Sequence, residues 1–376
     1  MTSFERLRIG LIGYGIGKLH IASMLNLNIY YANFPPVEMV AVATASEASG
    51  ERAMKQFGFQ RHTTDYRELL ASDDINTLVI ATPHYLHRDM LIDALHTGKA
   101  IYADKPLANN LTEAREIVAQ ARESGRDAQI SFVMRYCPAL IHAHKVIQQG
   151  RLGQIYSFRF AYYRSSYIDP EKPLRWKAEL AKSGGGVLND LVPHMADLLI
   201  WLIGMPRQLT AQTRTFIGER PAAKGRPERI RVETDDHVLI QAALPGGAIG
   251  TIESGRLITG AVSDIAVEIY GSEGSLRWHG MDPNHLYLVE RNMPEDERGW
   301  LQIPTLQRYP DAILPGADVP IGATRFYIAS AADFVRRTLT GEPYDPGLTQ
   351  GLRVQAVIEA ASIAAREGIW TEVAQE

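Results

Sequence analysis

The chain has 376 residues, of which 45% are hydrophobic and 22% are charged, and its formal net charge at pH 7 is −4. This length predicts two domains rather than one core, and the slightly acidic balance argues against a nucleic-acid partner. The single cysteine, Cys137, excludes an intramolecular disulfide, and no clustered set of Cys and His suits a zinc site. The first 17 residues carry charges and glycines through their apolar stretch, unlike a signal peptide, and the strongest apolar run is too short to span a membrane. We therefore expect a cytoplasmic protein without a membrane partner or a metal.

Up to about residue 130, short apolar runs alternate with segments of helical period, which is typical of βαβ units on a doubly wound parallel sheet. The predicted strands are Arg8–Gly13, Glu38–Thr44, Thr77–Ala81, Ala100–Ala103 and Ala128–Val133. The predicted helices are Lys18–Leu27, Ser46–Phe57, Leu86–His96 and Leu111–Ser124. Residues 28–36 are interpreted as an inserted loop before the second strand.

From about residue 150 the pattern changes to longer strands separated by turn signals, which favours a second, α+β domain with a mostly antiparallel sheet. The predicted strands are Gln154–Tyr163, Arg207–Phe216, His237–Leu244, Ala248–Ser254, Val262–Tyr270 and Leu286–Glu290. The predicted helices are Pro138–Gln149, Leu191–Ile203, Thr324–Leu339 and Thr349–Glu367. Pro245–Gly247 predicts a hairpin turn, and the stretches 218–231 and 291–322 are interpreted as solvated loops or covers near a substrate entrance. We predict the domain boundary near residue 130, with residues 131–376 as the second domain.

The first predicted strand leads directly into a glycine loop made of Gly13, Tyr14, Gly15, Ile16 and Gly17. Glycines at such a turn let the backbone approach a pyrophosphate, whose charge meets free N–H groups at a helix N-terminus. The alternative is a merely tight strand-to-helix turn. Because the loop follows the first strand of a βα series, it favours a Rossmann domain that binds NAD or NADP over residues 1–130.

The tip of the second predicted strand bears on the choice between the two cofactors. A carboxylate there would bind the ribose 2′-hydroxyl of NAD and repel the 2′-phosphate of NADP. The strand instead ends with Thr44 and Ser46, with Glu47 as the next acid and Arg52 as the next base. Both cofactors stay open, with a slight preference for NADP, and Ser46 also suits the N-cap of the following helix.

Three further segments accompany the glycine loop: Thr82–His87, Gly98–Leu107 and Ser183–His194. With Gly271–Leu276 later in the chain, their order and spacing resemble the glucose–fructose oxidoreductase, inositol dehydrogenase and rhizopine-catabolism (Gfo/Idh/MocA) family. The resemblance runs from Gly10 to Val373.

The resemblance implies a Rossmann domain followed by an open-faced, mostly antiparallel sheet flanked by helices. One face of that sheet commonly mediates homo-oligomers, so we expect a homodimer or homotetramer. It also implies oxidation or reduction of a hydroxyl on a sugar, a cyclitol or a related polyol. The family's lysine maps to Lys105 and its acid–histidine pair to Asp190 and His194, which we predict to be catalytic.

The chain also departs from the family pattern. Its glycine loop is shorter by one residue, Asp104 replaces the usual Glu, His84 replaces the usual Asn, and Val192 replaces a Gly. Asp104 keeps the charge with a shorter reach. These departures bear on substrate identity more than on the type of reaction.

Hydride transfer from an alcohol needs a base for the hydroxyl proton and a cation for the developing alkoxide. A histidine such as His194 changes charge near neutral pH, and Lys105 follows a parallel strand at the sheet edge where ligands bind. If their segment is helical, Asp190, His194 and Asp197 share one face. Taken singly, each of these residues is more often structural, and only their joint occurrence favours catalysis.

We predict cofactor contacts from the glycine loop and the tips of the following strands; these residues are Gly13, Tyr14, Gly15, Ile16, Gly17, Thr44, Ser46, Thr82, Pro83, His84, His87, Asp104 and Lys105. Polyol binding favours bidentate donors and aromatic faces. The main substrate candidates are Lys105, Arg135, Tyr163, Trp176, Asp190 and His194, with Arg164, Tyr167, Arg175 and His285 behind them. His20 is interpreted as a helix-packing residue and the basic stretch 220–231 as solvated.

Two other functions stay open at this point. One is a regulatory protein that senses a dinucleotide or sugar without chemistry. The other is reduction of a non-sugar carbonyl or imine. Catalysis on a polyol further requires Lys105 to meet Asp190 and His194 beside the nicotinamide.

Overall fold

The computed structural model describes residues 5–305, 309, 312–314 and 319–376. Up to residue 136 the strands are β1 (Leu7–Ile12), β2 (Val37–Ala43), β3 (Arg61–Thr63), β4 (Thr77–Ile80), β5 (Ala100–Ala103) and β6 (Gln129–Ile130). The helices are α1 (Gly17–Leu25), α2 (Leu27–Tyr30), α3 (Glu47–Phe57), α4 (Arg67–Ala71), α5 (His87–Leu95) and α6 (Leu111–Ser124). Short 3-10 turns occur at His84–Leu86 and Val133–Tyr136.

Strands dominate the next part of the chain, and helices follow them. The strands are β7 (Ile155–Tyr163), β8 (Gln208–Arg214), β9 (Glu219–Pro221), β10 (Arg229–Arg231), β11 (His237–Ala243), β12 (Ile249–Gly255), β13 (Asp264–Gly271), β14 (Gly274–His279), β15 (Asp282–Glu290), β16 (Leu301–Pro304) and β17 (Thr371–Glu372). The helices are α7 (Pro138–Gln148), α8 (Leu180–Ser183), α9 (Val187–Asp190), α10 (Val192–Ile203), α11 (Ala323–Thr340) and α12 (Leu348–Glu367), with a 3-10 turn at Arg175–Ala178.

The chain divides into two compact units. Unit 1 comprises the described residues of 1–136 and 307–352, and unit 2 comprises those of 137–306 and 353–376. Helix α11 therefore belongs to the same unit as β1 to β6, whereas the sequence pattern assigned it to the second domain.

Unit 1 is built on a parallel six-stranded sheet in the order β3-β2-β1-β4-β5-β6. This order confirms the predicted Rossmann fold. Strands β4 and β5 are buried along their whole length, as expected for parallel strands covered on both faces. Three fully buried side chains of β1 share one core cluster with Phe334 and Val335 of α11; they are Leu7, Ile9 and Leu11.

Unit 2 is built on a nine-stranded sheet in the order β16-β15-β14-β13-β7-β12-β11-β8-β17. Among the described strands, β7 and β12 pair in parallel and the other neighbours are antiparallel. This confirms the predicted mostly antiparallel sheet. Burial alternates along β11, where Val238 and Ile240 are buried and Leu239 is exposed. One face therefore packs on helices, including α10 against β7 and β12, and we call the other the open face.

The loops differ most from the sequence prediction. The predicted loop 218–231 contains β9 and β10, which pair with each other as a separate two-stranded sheet. The predicted loop 291–322 contains β16, and its residues 306–308, 310–311 and 315–318 lie outside the described residues. The insert 28–36 begins within α2. The predicted hairpin turn at Pro245–Gly247 is confirmed, since it joins the antiparallel pair β11 and β12.

Among the described residues, no single helix is both long and apolar enough to cross a membrane. The segments Leu180–Asp190 and Val192–Ile203 reach that length and apolarity only as a pair, bent by 50°.

Candidate active site

The glycine loop follows β1 and leads into α1, as the sequence predicts. Gly13 has φ +96°, and a Cβ atom on it would lie 2.5 Å from the carbonyl oxygen of Ala81, so only glycine fits there. A Cβ on Gly17 would lie 2.9 Å from Leu11, whereas a Cβ on Gly15 would meet no atom within 4 Å. The loop is thus tightly packed at both ends and open at its centre, which suits the approach of a pyrophosphate to the backbone.

The two side chains between these glycines lie in different surroundings. Tyr14 donates a hydrogen bond to Gln56 on α3 and packs edge-on against Phe57. Ile16 immediately precedes α1 and is 41% exposed. We therefore expect both residues to contribute backbone amides, rather than side-chain donors, to a dinucleotide.

The tip of β2 carries hydroxyl groups and one basic side chain. The Thr44 hydroxyl donates to the carbonyl oxygen of Ser46 over 2.8 Å. The hydroxyls of Ser46 and Ser49 lie 3.1 Å apart, and Arg52 donates to the Ser49 hydroxyl over 2.9 Å. Ser46 occupies the N-cap position of α3, but its side chain makes no capping hydrogen bond. Its hydroxyl is instead part of a small polar cluster at the strand tip.

The segment after β4 combines partly buried and fully buried residues. Thr82 and Pro83 are partly buried, and His84 begins the 3-10 turn with 7% exposure. The ring of His87 is fully buried, with Nδ1 2.9 Å from the carbonyl oxygen of Pro106 and Nε2 3.0 Å from that of Thr82. His87 thus joins two backbone segments, and its predicted contact with the cofactor stays a prediction.

Lys105 follows β5 after one residue, Asp104, which is held by several polar groups. The Ser131 hydroxyl donates to Asp104 Oδ1 over 2.7 Å, and His20 Nε2 lies 3.4 Å from the same oxygen. Burial by itself raises the pKa of Asp104, but His20, Lys105 and Ser131 outweigh it and hold that pKa well below its usual range. Asp104 therefore presents a fixed negative charge beside Lys105.

His20 does more than the sequence predicts. Its ring is 1% exposed and lies against the rings of Tyr102 and Tyr327, with centroids 5.3 and 5.7 Å away. This is consistent with its interpretation as a packing residue. Its contact with Asp104 additionally joins α1, which carries the glycine loop, to the end of β5. Nothing local in the sequence signals this pair, because the two residues come from distant elements of the sheet.

In unit 2, a glycine-rich segment leads into α9. Gly184 has φ +61°, and a Cβ atom on Gly186 would lie 1.8 Å from the backbone oxygen of Asp235. The Asp235 carboxylate accepts hydrogen bonds from the amides of Gly186 and Leu188 over 2.7 and 2.9 Å. The glycines thus let the chain fold closely onto Asp235. This contact fixes the start of the helix whose last residue is Asp190.

Asp190 forms an ion pair with Lys177, a residue that sequence reasoning missed. Lys177 Nζ lies 2.7 Å from Asp190 Oδ2, and the two side chains are 29% and 38% exposed. Burial by itself lowers the pKa of Lys177, but the facing Asp190 carboxylate more than offsets this, so that pKa is raised. The available signal was a basic residue directly after Trp176, a predicted substrate residue.

His194 lies on α10, where it is 8% exposed and its ring is 5.8 Å from that of Tyr162. The helix breaks at Leu191, and the segments on either side are bent by 50°. Pro193 in the first turn of α10 lacks the N–H that a continuous helix would need. Asp190 and His194 therefore lie on two consecutive helices and not, as expected, on one face of a single helix.

Two family models match this chain. That of the oxidoreductase family with an NAD-binding Rossmann fold matches residues 7–132, and that of the GFO/IDH/MocA C-terminal domain matches residues 140–277. The chain belongs to the Gfo/Idh/MocA oxidoreductase family.

Several relatives in this family have assigned names. Levoglucosan dehydrogenase of Pseudarthrobacter phenanthrenivorans is 29% identical over 387 residues, covering 99% of each chain. The scyllo-inositol 2-dehydrogenase (NAD(+)) of Bacillus subtilis is 27% identical over 262 residues, covering 70% of this chain and 71% of that protein. A solved structure of levoglucosan dehydrogenase in complex with NADH and levoglucosan matches with a TM-score of 0.93 at 29% identity, covering 98% of this chain and 100% of that one.

In this Gfo/Idh/MocA oxidoreductase, two predicted substrate residues have partners within the protein. Arg135 is 6% exposed, and its guanidinium donates to Asp345 over 2.9 Å. The Tyr163 hydroxyl donates to Glu253 on the open face. Neighbouring residues of a strand point to opposite faces, so Tyr162, and not Tyr163, shares the face of His194. The predicted roles of Arg135 and Tyr163 in substrate binding therefore stay predictions, against which these contacts argue.

The remaining substrate candidates fall into two groups. Trp176 stays a candidate, because the Lys177 ammonium lies 5.6 Å from its ring. Farther along the sheet, His285 pairs with Asp282 on β15, three strands away from β7.

Arg220, predicted to be solvated, is fully buried. Within the described part of the chain, no three His, Cys, Asp or Glu side chains are grouped to hold a metal.

Proposed function

We propose that the protein is an NAD(P)-dependent dehydrogenase or reductase that transfers a hydride between the nicotinamide and a secondary hydroxyl or carbonyl of a sugar, cyclitol or related polyol. The observation that carries this proposal is the ion pair of Lys177 with Asp190, a residue that lies four positions before His194 in the chain. Such a group supplies donors, an acceptor and a base for hydroxyl chemistry. The full-length likeness to a levoglucosan dehydrogenase supports the same substrate class.

The glycine loop of unit 1 fits the dinucleotide because its centre is open at Gly15. When bound, the nicotinamide accepts or donates the hydride. Backbone amides of the loop would hold the pyrophosphate, and Thr82, Pro83 and His84 after β4 would contribute further contacts. Asp104 and Lys105, at the end of β5, complete the proposed cofactor contacts, since ligands of such sheets bind at the carboxyl ends of the strands.

Lys105 is proposed to hydrogen-bond the reacting oxygen and to stabilise the alkoxide that develops on it. Asp104 keeps a negative charge beside this ammonium. In unit 2, His194 is proposed to take the hydroxyl proton, while Asp190 accepts a hydrogen bond from the substrate. Lys177 places a donor 2.7 Å from that acceptor, an arrangement suited to adjacent hydroxyl groups.

The proposed function is tested by the production of reduced cofactor from a panel of sugars, cyclitols and other polyols with NAD and NADP. We expect turnover on at least one polyol. Lys105→Met should lower kcat by roughly 100-fold or more and leave the cofactor dissociation constant within about twofold. Lys55→Met is the matched control, because Lys55 is exposed near the C-terminal end of α3.

Other results would redirect the proposal. Tight cofactor binding without turnover on any polyol would favour a sensing protein. Turnover confined to non-sugar carbonyls or imines would replace the substrate class. Loss of cofactor affinity in Lys105→Met equal to its loss of rate would remove Lys105 from the catalytic role.

We further propose that the cofactor site has a slight preference for NADP. The tip of β2 offers the hydroxyls of Thr44 and Ser46, and the Glu47 carboxylate lies 3.3 Å from the His62 ring. Arg52 supplies a nearby cation for a 2′-phosphate. We expect kcat/KM for NADP to exceed that for NAD, and Arg52→Glu to reverse this order. The names of some relatives mention NAD or NADH. A preference of the wild type for NAD over NADP would refute the proposed preference for NADP.

Self-association through the open face is the third part of the proposal. Arg159 bridges Glu253 and Glu268 there, with both distances 3.2 Å. Next to these charges, Ile249 is 62% exposed and Leu239 is 37% exposed. Light scattering should show a dimer or tetramer for the wild type and smaller species for Ile249→Arg. A monomeric wild type would refute this part.

A further inference from the structure

The hairpin of β9 and β10 contains a buried arginine that the proposed chemistry does not use. Arg220 on β9 is fully buried, and its guanidinium donates to three backbone carbonyls. The distances are 2.6 Å to Tyr167, 2.6 Å to Asp169 and 3.1 Å to Lys172. Burying a guanidinium is costly unless hydrogen bonds replace its water. The segment 167–172 is therefore wrapped around Arg220.

The first residue of this segment is also held through its ring. The Tyr167 ring centroid lies 5.8 Å from the Arg220 guanidinium and 5.4 Å from that of Arg256. Arg256 is in turn fixed by the buried Asp236, to which it donates over 2.7 Å. Cations near an aromatic ring are attracted by its quadrupole. The ring thus adds a second attachment between the segment and the core of unit 2.

Beyond this segment the chain continues to Lys177, and the stretch 167–178 is held at that end as well. The Thr234 hydroxyl donates to the backbone oxygen of Lys177 over 2.9 Å. Between the two ends, Leu174 packs in a small apolar cluster with Val232 and Ile230, and Ile230 belongs to β10. The hairpin and the connection that follows it, up to β11, therefore support the whole stretch 167–178, including the lysine that pairs with Asp190.

We propose that Arg220 is a positioning residue for substrate binding. It holds the stretch 167–178 in the conformation from which Lys177 pairs with Asp190, and it has no part in cofactor binding. This inference rests on the proposed function for its effect on substrate. Its structural part, the anchoring of the stretch by Arg220, is independent of any activity.

The anchoring is tested by amide hydrogen exchange of the intact protein. Arg220→Met removes the donors and keeps an apolar stem, and Arg231→Met is the matched control, because Arg231 is exposed on the same hairpin. Exchange of amides 167–178 should become roughly tenfold faster in Arg220→Met and stay unchanged in the control. If Arg220→Met fails to fold, Arg220→Lys, which keeps the charge but loses the planar fork, replaces it. Unchanged exchange in this stretch would overturn the proposal.

Kinetics test the consequence for substrate. Arg220→Met should raise KM for the best polyol by roughly tenfold and leave the cofactor dissociation constant within about twofold. Because Arg220 acts through Lys177, adding Arg220→Met to Lys177→Met should change KM by less than about twofold further. Effects that multiply, or an equal loss of cofactor affinity, would overturn the proposal. Turnover by the wild type with an unaffected Arg220→Met would also overturn it, whereas a wild type without polyol turnover would refute the proposed function itself.

Discussion

Gly186→Ala provides a sensitive test of how α9 is positioned. The new Cβ atom would lie 1.8 Å from the backbone oxygen of Asp235, so the chain must move by more than about 1 Å to relieve the contact. That movement stretches the hydrogen bonds from the amides of Gly186 and Leu188 to the Asp235 carboxylate, now 2.7 and 2.9 Å. Each bond to a charged group contributes about 1.5–3 kcal/mol. We therefore expect a local cost of roughly 3 kcal/mol or more.

The functional effect follows from Asp190 at the end of the same helix. A displacement of about 1 Å in a group that positions the substrate lowers rates by roughly 100-fold. We therefore expect kcat/KM with the best polyol to fall by about that factor and the cofactor dissociation constant to stay unchanged. The assays are steady-state kinetics, cofactor titration and thermal unfolding. Gly246→Ala is the control, because a Cβ there meets no atom within 4 Å. Activity within about threefold of the wild type in Gly186→Ala would refute this account of the glycine segment.

Four other substitutions test individual contacts. Because the pKa of Asp104 is held below its unfolded value, its carboxylate stabilises the fold above about pH 4 and loses this effect on acidification. Asp104→Asn should lower the free energy of unfolding by about 3 kcal/mol at neutral pH. If urea unfolding shows the same loss at low pH, the ionic contacts of Asp104 are contradicted. Arg135→Met should lower the free energy of unfolding by roughly 3 kcal/mol without raising KM, and a raised KM would support the predicted role of Arg135 in substrate binding. Tyr163→Phe should leave KM unchanged and Tyr162→Ala should raise it; the reverse order would show that the faces are misassigned.

Much of the fold follows from local sequence pattern. The predicted helix Leu111–Ser124 and strand Ala100–Ala103 agree with the structure at both ends. In the helix, Asn110 caps the N-terminus by accepting from the Glu113 amide, and Gly125 ends it with φ +64°. Such signals lie within a few residues of the boundary, so the sequence alone reveals them.

Contacts between distant segments could not be read in this way. Arg135 is 210 residues from Asp345 in sequence, so its basic side chain appeared available for substrate. Arg220 lies in a stretch rich in charged residues, so composition alone predicted a solvent-exposed side chain and not a buried one. Tyr162 and Tyr163 are the same residue type, and only the orientation of β7 shows which of them lies on which face of the sheet.

The candidate site was predictable in its residue types and less so in its geometry. Lys105, Asp190 and His194 came from the order of motifs, and the structure describes the surroundings of each. Lys177 was missed as the partner of Asp190, and His20 as the partner of Asp104, because such pairs form between elements that only the fold brings together. A glycine motif, by contrast, reports its own backbone requirement, as Gly13 does with φ +96°.

Transfer of deuterium tests the central claim most directly. A polyol substrate labelled with deuterium on its reacting carbon is incubated with the enzyme and oxidised cofactor, and the reduced nicotinamide is analysed by mass spectrometry. The account predicts that the deuterium appears on the nicotinamide and that kcat/KM falls for the labelled substrate. Deuterium released to water, or oxidation without reduced cofactor, would contradict hydride transfer by this protein.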